Sequence, residues 1–173
     1  MVENMSYSIS QGAHKRLVAV DISDMKTSDE PDEILITYSL GSCIGLSLYD
    51  PVAKVGGLVH AMLPLSKIDR AKAKKNPYMF TDTGVSMLIQ RLFDMGARRK
   101  NLVAKVAGGA RLLDSKGLFK IGERNYTVLR KVLWKNDILI ASESVGGSQS
   151  RTMLLYMEDG RTTIKSGGKE TEL

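Results

Sequence analysis

One cysteine and two histidines, Cys43, His14 and His60, are all the thiol and imidazole that 173 residues supply. A lone cysteine cannot close an intramolecular disulfide. A tetrahedral Cys/His zinc site would consume all three residues and still need a carboxylate. No metal and no organic cofactor is therefore expected, and what remains is nucleophilic chemistry. A thiolate attacks carbonyl carbon, and an adjacent imidazolium can lower a cysteine pKa from about 8.5 to roughly 3.5–7.5. The same ring can then protonate a leaving group and later deprotonate water. In Gly41-Ser42-Cys43 the small residues and turning backbone make Gly41 and Ser42 candidates for lining an oxyanion hole with N–H groups. Composition leaves two readings open: a small buried hydrophobe beside a satisfied core histidine, or a reacting pair.

Whether Cys43 and His60 meet depends on the elements that carry them. Residues 43–49 alternate, with Ile44, Leu46 and Leu48 on one face and Cys43, Gly45, Ser47 and Tyr49 on the other. That is the period of a half-buried strand. Asp50-Pro51 opens a turn, and 55–63 reads as the returning strand, closed by Pro64. A four-residue turn Asp50-Pro51-Val52-Ala53 sets Cys43 directly opposite His60, on one sheet face and with Cβ atoms about 4.5–5.5 Å apart. A longer loop shifts that register. Gly45 and Ser47, small and on the cysteine's face, would leave room for a substrate side chain.

Further strands are expected at 17–20, 34–37, 102–107, 138–141, 152–157 and 162–165, the last two joined by Glu158-Asp159-Gly160. Residues 26–31 read as a polar linker and 65–76 as a basic loop. Thr81 or Asp82 can cap a helix bearing Val85, Leu88, Ile89, Leu92 and Phe93 at helical spacing, stopped by Gly96. A second helix is expected over 123–135, with Val128, Leu129, Val132 and Leu133 inward. Strands outnumber helices and several are consecutive, so the expected class is α+β, two main helices on a mainly antiparallel sheet. The expected organisation is a flexible N-terminal tail over 1–15, one domain over 16–168 and a C-terminal tail over 169–173.

Lys and Arg number 25 against 19 Asp and Glu, a formal charge of +6. The stretch 67–75 concentrates Lys67, Arg70, Lys72, Lys74 and Lys75; it reads as a solvated face, with an acidic protein partner as the alternative. No nucleic-acid-binding signature accompanies the charge, so no nucleic acid is expected. The first residues carry no signal-peptide pattern, and no apolar run approaches the roughly 18 residues that span a bilayer. A lone thiol without an export signal suits the cytoplasm, without direct membrane insertion.

Thr37-Tyr38-Ser39-Leu40-Gly41-Ser42-Cys43, then Gly56-Gly57-Leu58-Val59-His60 and Leu63-Pro64, resembles the CheD family of chemoreceptor glutamine deamidases. Phe80-Thr81-Asp82-Thr83, Ala107-Gly108-Gly109-Ala110, Ile121-Gly122-Glu123-Arg124-Asn125 and Gly146-Gly147 with Arg151 follow in family order. Phe80 stands where the family has tyrosine, and Ser150 where glycine is usual. The resemblance spans roughly 17–165 and implies an αββ sandwich. It implies a cytoplasmic protein-glutamine glutaminase of chemotaxis that turns receptor glutamines into glutamates with release of ammonia, through a thioester. Cys43 would be the nucleophile, His60 the general acid/base, and Thr37 the residue holding the imidazole. The implied partners are the cytoplasmic domains of methyl-accepting chemoreceptors and a CheC-type phosphatase. Two other readings use the same residues: a non-enzymatic regulator of such a phosphatase, and a cysteine protease or transglutaminase-like acyltransferase.

Overall fold

A computed structural model of the chain describes residues 14–112, 116 and 119–173; of the expected N-terminal tail, 1–13 lie outside them. The elements begin with β1 (Arg16–Ala19), β2 (Asp24–Ser28), β3 (Glu33–Leu40), β4 (Ile44–Asp50) and β5 (Val55–Ala61). Then come α1 (Arg70–Lys75), α2 (Thr81–Asp94), β6 (Val103–Gly108) and α3 (Ile121–Lys135). The described chain closes with β7 (Ile140–Val145), β8 (Arg151–Tyr156), β9 (Thr162–Ser166) and β10 (Lys169–Glu172). They form two five-stranded sheets, ordered β1-β3-β8-β9-β10 and β2-β5-β4-β6-β7. Neighbours are antiparallel except β1 with β3 and β6 with β7.

Leu88, Leu92, Leu129 and Leu133 of α2 and α3 bury against Ile44, Leu46, Leu48, Val59 and Val106 of the second sheet. The other face of that sheet packs on the first through Leu35, Leu40, Tyr49, Leu58, Met153 and Leu155. The layers are therefore helix, sheet, sheet, the expected α+β, αββ architecture with mainly antiparallel strands and two main helices.

This layering changes the meaning of the β4 alternation. Every residue of β4 is buried, because the strand lies at the centre of a sheet covered on both sides. Ile44, Leu46 and Leu48 face the helices, while Gly45, Ser47 and Tyr49 face the other sheet. The room expected beside Gly45 and Ser47 is filled. A Cβ on Gly45 would lie 2.8 Å from Leu40 Cδ1 and 3.3 Å from Met153 Sδ, and Ser47 bonds Thr162 Oγ1 at 3.1 Å.

The β4–β5 turn is longer than the four-residue turn Asp50-Pro51-Val52-Ala53. Asp50 pairs with Val55, so the register sets Gly45, not Cys43, opposite His60. The cause is the fully buried carboxylate of Asp50. Its Oδ1 accepts from the N–H groups of Val52 (2.8 Å) and Ala53 (2.9 Å), and its Oδ2 from that of Arg98 (2.8 Å). Lys54, at φ +58°, then returns the chain into β5. The shift is two residues, so parity survives: Cys43 keeps the face expected of it but moves from directly opposite His60 to the diagonal position.

Other expectations give way to tertiary pairing. The linker expected over 26–31 begins inside β2, which pairs with β5. The basic loop contains α1, which has no buried residue and is capped by the Asp69 side chain. Neither Thr81 nor Asp82 caps α2: the cap position is Phe80, and Asp82 instead accepts from Ser66 N and Oγ. The C-terminal tail expected over 169–173 forms β10 on the edge of β9.

Burial pushes the Asp50 carboxyl up, but the donors from Arg98, Ala53, Val52 and Asn101 outweigh it and hold the group below the usual carboxylate range. Asp50→Ala takes the charged acceptor from the N–H groups of Val52, Ala53 and Arg98 and is expected to cost about 3 kcal/mol. For a chain of this size that is roughly 6–12 °C in Tm, read by thermal unfolding at pH 7. A shift under about 2 °C would mean that the turn stands without its carboxylate.

Candidate active site

His60 sits on β5 with its side chain between the two sheets, fully buried. Thr37 reaches it from β3 of the opposing sheet: Thr37 Oγ1 and His60 Nδ1 are 2.7 Å apart. The hydroxyl also donates to the backbone carbonyl of Val20 at 2.6 Å. A threonine hydroxyl carries one hydrogen, and a carbonyl oxygen can only accept. The hydrogen therefore goes to Val20, and Thr37 Oγ1 must accept from His60. This assigns the neutral ring a protonated Nδ1 and a bare Nε2. Nε2 is buried without a hydrogen-bond partner among the described residues, so its lone pair is left for a proton.

A bulge places Thr37. It pairs with Met153 and Leu40 with Arg151, so β3 carries one extra residue between them. Ser39 absorbs it at φ +57°. The bulge leaves Leu35, Thr37 and Leu40 all facing the other sheet and turns the chain into Gly41-Ser42-Cys43.

Cys43 lies just before β4, half-buried against the inter-sheet cluster. Three carbonyls tie this loop down. Gly41 O accepts from Ala110 N at 2.8 Å, Ser42 O from Asn125 Nδ2 at 2.9 Å, and Cys43 O from Gly109 N at 2.8 Å. Gly108 permits the close passage: at φ +109°, its Cβ would fall 2.3 Å from Cys43 O. Of the residues singled out from sequence, Thr37 and His60 are in direct contact. Cys43 shares their inter-sheet space from the diagonal position, and Gly41 and Ser42 form its loop. His14 is exposed, ahead of β1.

Asn125 was given no role by its sequence context, yet it is fully buried and bridges two segments of the site. Its Nδ2 donates to Ser42 O and, at 3.1 Å, to Met62 O just beyond β5, while Oδ1 accepts from Thr81 Oγ1 at 3.2 Å. A signal was present. Asn125, Leu129 and Leu133 recur at four-residue spacing, so an amide sits on the inward stripe of α3, where a polar group must find partners. Among the described residues, no group of three or more His, Cys, Asp and Glu is arranged to hold a metal ion.

The family model described as CheD chemotactic sensory transduction matches residues 62–166. "Probable chemoreceptor glutamine deamidase CheD" of Solibacter usitatus is 49% identical over 156 residues, 90% of this chain and 92% of that protein. "Probable chemoreceptor glutamine deamidase CheD 1" of Syntrophus aciditrophicus is 46% identical over 151 residues, 87% of this chain and 94% of that one. The chain belongs to the CheD family. Among solved structures, the Bacillus licheniformis hypothetical protein YfiH superposes with a TM-score of 0.44 at 16% identity, over 80% of this chain and 61% of that one.

In this CheD chain, burial pushes the His60 imidazole down to about 4, with the Asp21 carboxylate acting the other way. Burial pushes the Cys43 thiol up, opposed by its own backbone N–H. Both shifts favour a neutral thiol and a neutral imidazole at rest. An adjacent imidazolium would lower the thiol; burial at this site works the other way on both groups.

The hydroxyl constraint is tested by ¹⁵N-resolved NMR of the His60 ring at pH 7, where a protonated Nδ1 and an unprotonated Nε2 are expected. An Nε2–H ring would overturn the assignment. The pKa shift has its own consequence for stability. The unfolded chain takes up the His60 proton near pH 6.5 and the folded chain near 4, so stability is lost as pH falls through that window. The loss is on the order of 3 kcal/mol and should be largely missing from His60→Gln. Parallel urea-unfolding free energies for the two proteins between pH 7 and 4 would count against it.

Proposed function

We propose that this protein hydrolyses glutamine side chains of chemoreceptors to glutamate, with Cys43 as nucleophile, His60 as acid/base and Thr37 as the residue that orients His60. The observation that carries the reading is the His60 tautomer, a buried ring whose only unpartnered atom is the basic Nε2, in the same inter-sheet space as the sole thiol. The names of relatives 46–49% identical along nearly their whole length support the same chemistry.

The Cys43 thiol gives its proton to His60 Nε2 as Sγ bonds to the carboxamide carbon. Backbone N–H groups at Ser42 and Cys43 receive the oxyanion. The imidazolium returns the proton to the departing nitrogen, the C–N bond breaks, and ammonia leaves a thioester on Sγ. Water then adds to the thioester, losing a proton to Nε2, and collapse releases the glutamate carboxylate and restores the thiol. His60 carries charge only transiently, which suits a ring that burial holds neutral.

Tyr38, Met62 and Leu112 remain about half exposed around the Thr37–Cys43 segment. Leu112 touches Gly41 closely enough that a Cβ there would meet its Cδ1 at 2.6 Å. This apolar rim is the proposed seat of a receptor helix. A CheC-type phosphatase, implied by the family resemblance, belongs to the same proposal as a regulatory partner, and the cytoplasm as its location. Among the described residues no helix is long and apolar enough to cross a membrane.

The reading is tested by intact-mass measurement of receptor cytoplasmic domains incubated with the protein. A gain of about one mass unit per converted glutamine is expected, since NH₂ is replaced by OH, with no chain cleavage. No gain is expected with Cys43→Ala. Equal conversion by that variant would remove the mechanism, whereas a Cys43→Ala protein that still binds and modulates a CheC-type phosphatase would separate regulation from chemistry.

A further inference from the structure

We propose that Asn125 is a positioning residue that aims the Cys43 N–H at the oxyanion of the tetrahedral intermediate bonded to Cys43 Sγ. The proposal rests on the thiol chemistry assigned above and concerns how the loop is held for it. In a planar trans peptide the carbonyl and the N–H point in opposite directions. The unit linking Ser42 to Cys43 has its carbonyl held by Asn125 Nδ2 at 2.9 Å, so the Cys43 N–H is turned away from α3. The preceding unit has its Gly41 carbonyl held by Ala110 N at 2.8 Å, which turns the Ser42 N–H the same way. Ala110 and Asn125 lie on one side of the loop, because α3 packs there: a Cβ on Gly122 would fall 2.8 Å from Ala110 O.

The Asn125 amide is itself fixed. Ser42 O and Met62 O can only accept, so both require the NH₂ end, and Oδ1 is left for the Thr81 hydroxyl. Thr81 is also fully buried, and its single hydroxyl hydrogen lies between two acceptors, Leu63 O at 3.1 Å and Asn125 Oδ1 at 3.2 Å. One amide therefore ties the nucleophile loop to the chain leaving β5, the strand of His60, with its flip set by those two carbonyls and the first residue of α2 beside its oxygen.

Two reagents that both react with Cys43 separate positioning from a structural role. Iodoacetamide alkylates sulfur by displacing iodide at a saturated carbon and forms no oxyanion. p-Nitrophenyl acetate acylates sulfur through a tetrahedral oxyanion and releases p-nitrophenolate. In Asn125→Ala the ester burst is expected to slow about 30-fold, part of what losing an oxyanion donor costs, while alkylation stays within about 3-fold. In Thr81→Val, which leaves the amide but removes the hydroxyl beside its oxygen, the ratio of the two rates should fall about 3-fold.

An unchanged ratio in folded Asn125→Ala overturns the proposal. If that variant does not fold, an unchanged ratio in Thr81→Val does so. A wild-type burst no larger than that of Cys43→Ala also overturns it. Receptor deamidation by the wild type, followed in parallel, reports on the parent reading alone. If deamidation is absent while the ratio shifts as expected, the deamidase assignment fails and the Asn125 role stands.

Discussion

A single hydroxyl hydrogen, that of Thr37, governs the chemistry available in this fold. It is spent on the Val20 carbonyl, so the oxygen faces His60 as an acceptor and the ring must present Nδ1–H to it. The bond crosses from one sheet to the other inside the sandwich, where an unpaired donor would be costly. Tautomer and inter-sheet packing are therefore one constraint. The sheets cannot slide by a residue without stranding the buried imidazole N–H and leaving the Thr37 oxygen without its donor.

The surroundings of that bond are built to hold it. The β3 bulge keeps Thr37 pointing inward and at once ends regular pairing, so the chain can turn into the Gly41-Ser42-Cys43 loop. The carbonyls of this loop are committed to Ala110, Asn125 and Gly109. Fully buried Leu40 and partly buried Cys43 close the inter-sheet space around the histidine. Burial also sets the resting charge state. Burial favours a neutral ring and a neutral thiol, and a standing ion pair in this apolar interior would be disfavoured.

Much of the fold could be read from local pattern. Helix α2 follows from the spacing of Val85, Leu88, Ile89 and Leu92, and β4 from strict alternation. What escaped were features whose cause lies far away in the chain. Strand β2 has polar residues and no period of its own; it exists because β5 offers it an edge. Strand β10 needs β9 in the same way. The β4–β5 turn was misjudged because Asp50 looked like a surface turn residue, while its carboxylate is buried and claimed by Arg98, 48 residues on. The pairing of Cys43 with His60 kept its face but lost its strict opposition, since a two-residue shift preserves parity.

By itself, the sequence limited which chemistry was possible: one thiol and two imidazoles exclude a disulfide and leave no usual Cys/His zinc set, so Cys43 is either a small buried hydrophobe or a nucleophile. Its motif order also determined the family. Residue types and spacings carry that information because reactivity and helical or strand period are local properties. Only the tertiary structure decided which nitrogen of His60 is basic, what charge the resting pair carries, and that Asn125 grips the loop. Each of these depends on donors, acceptors and burial brought together from β1, β3, β5, α2 and α3, and no local pattern encodes a hydrogen bond between residues so far apart.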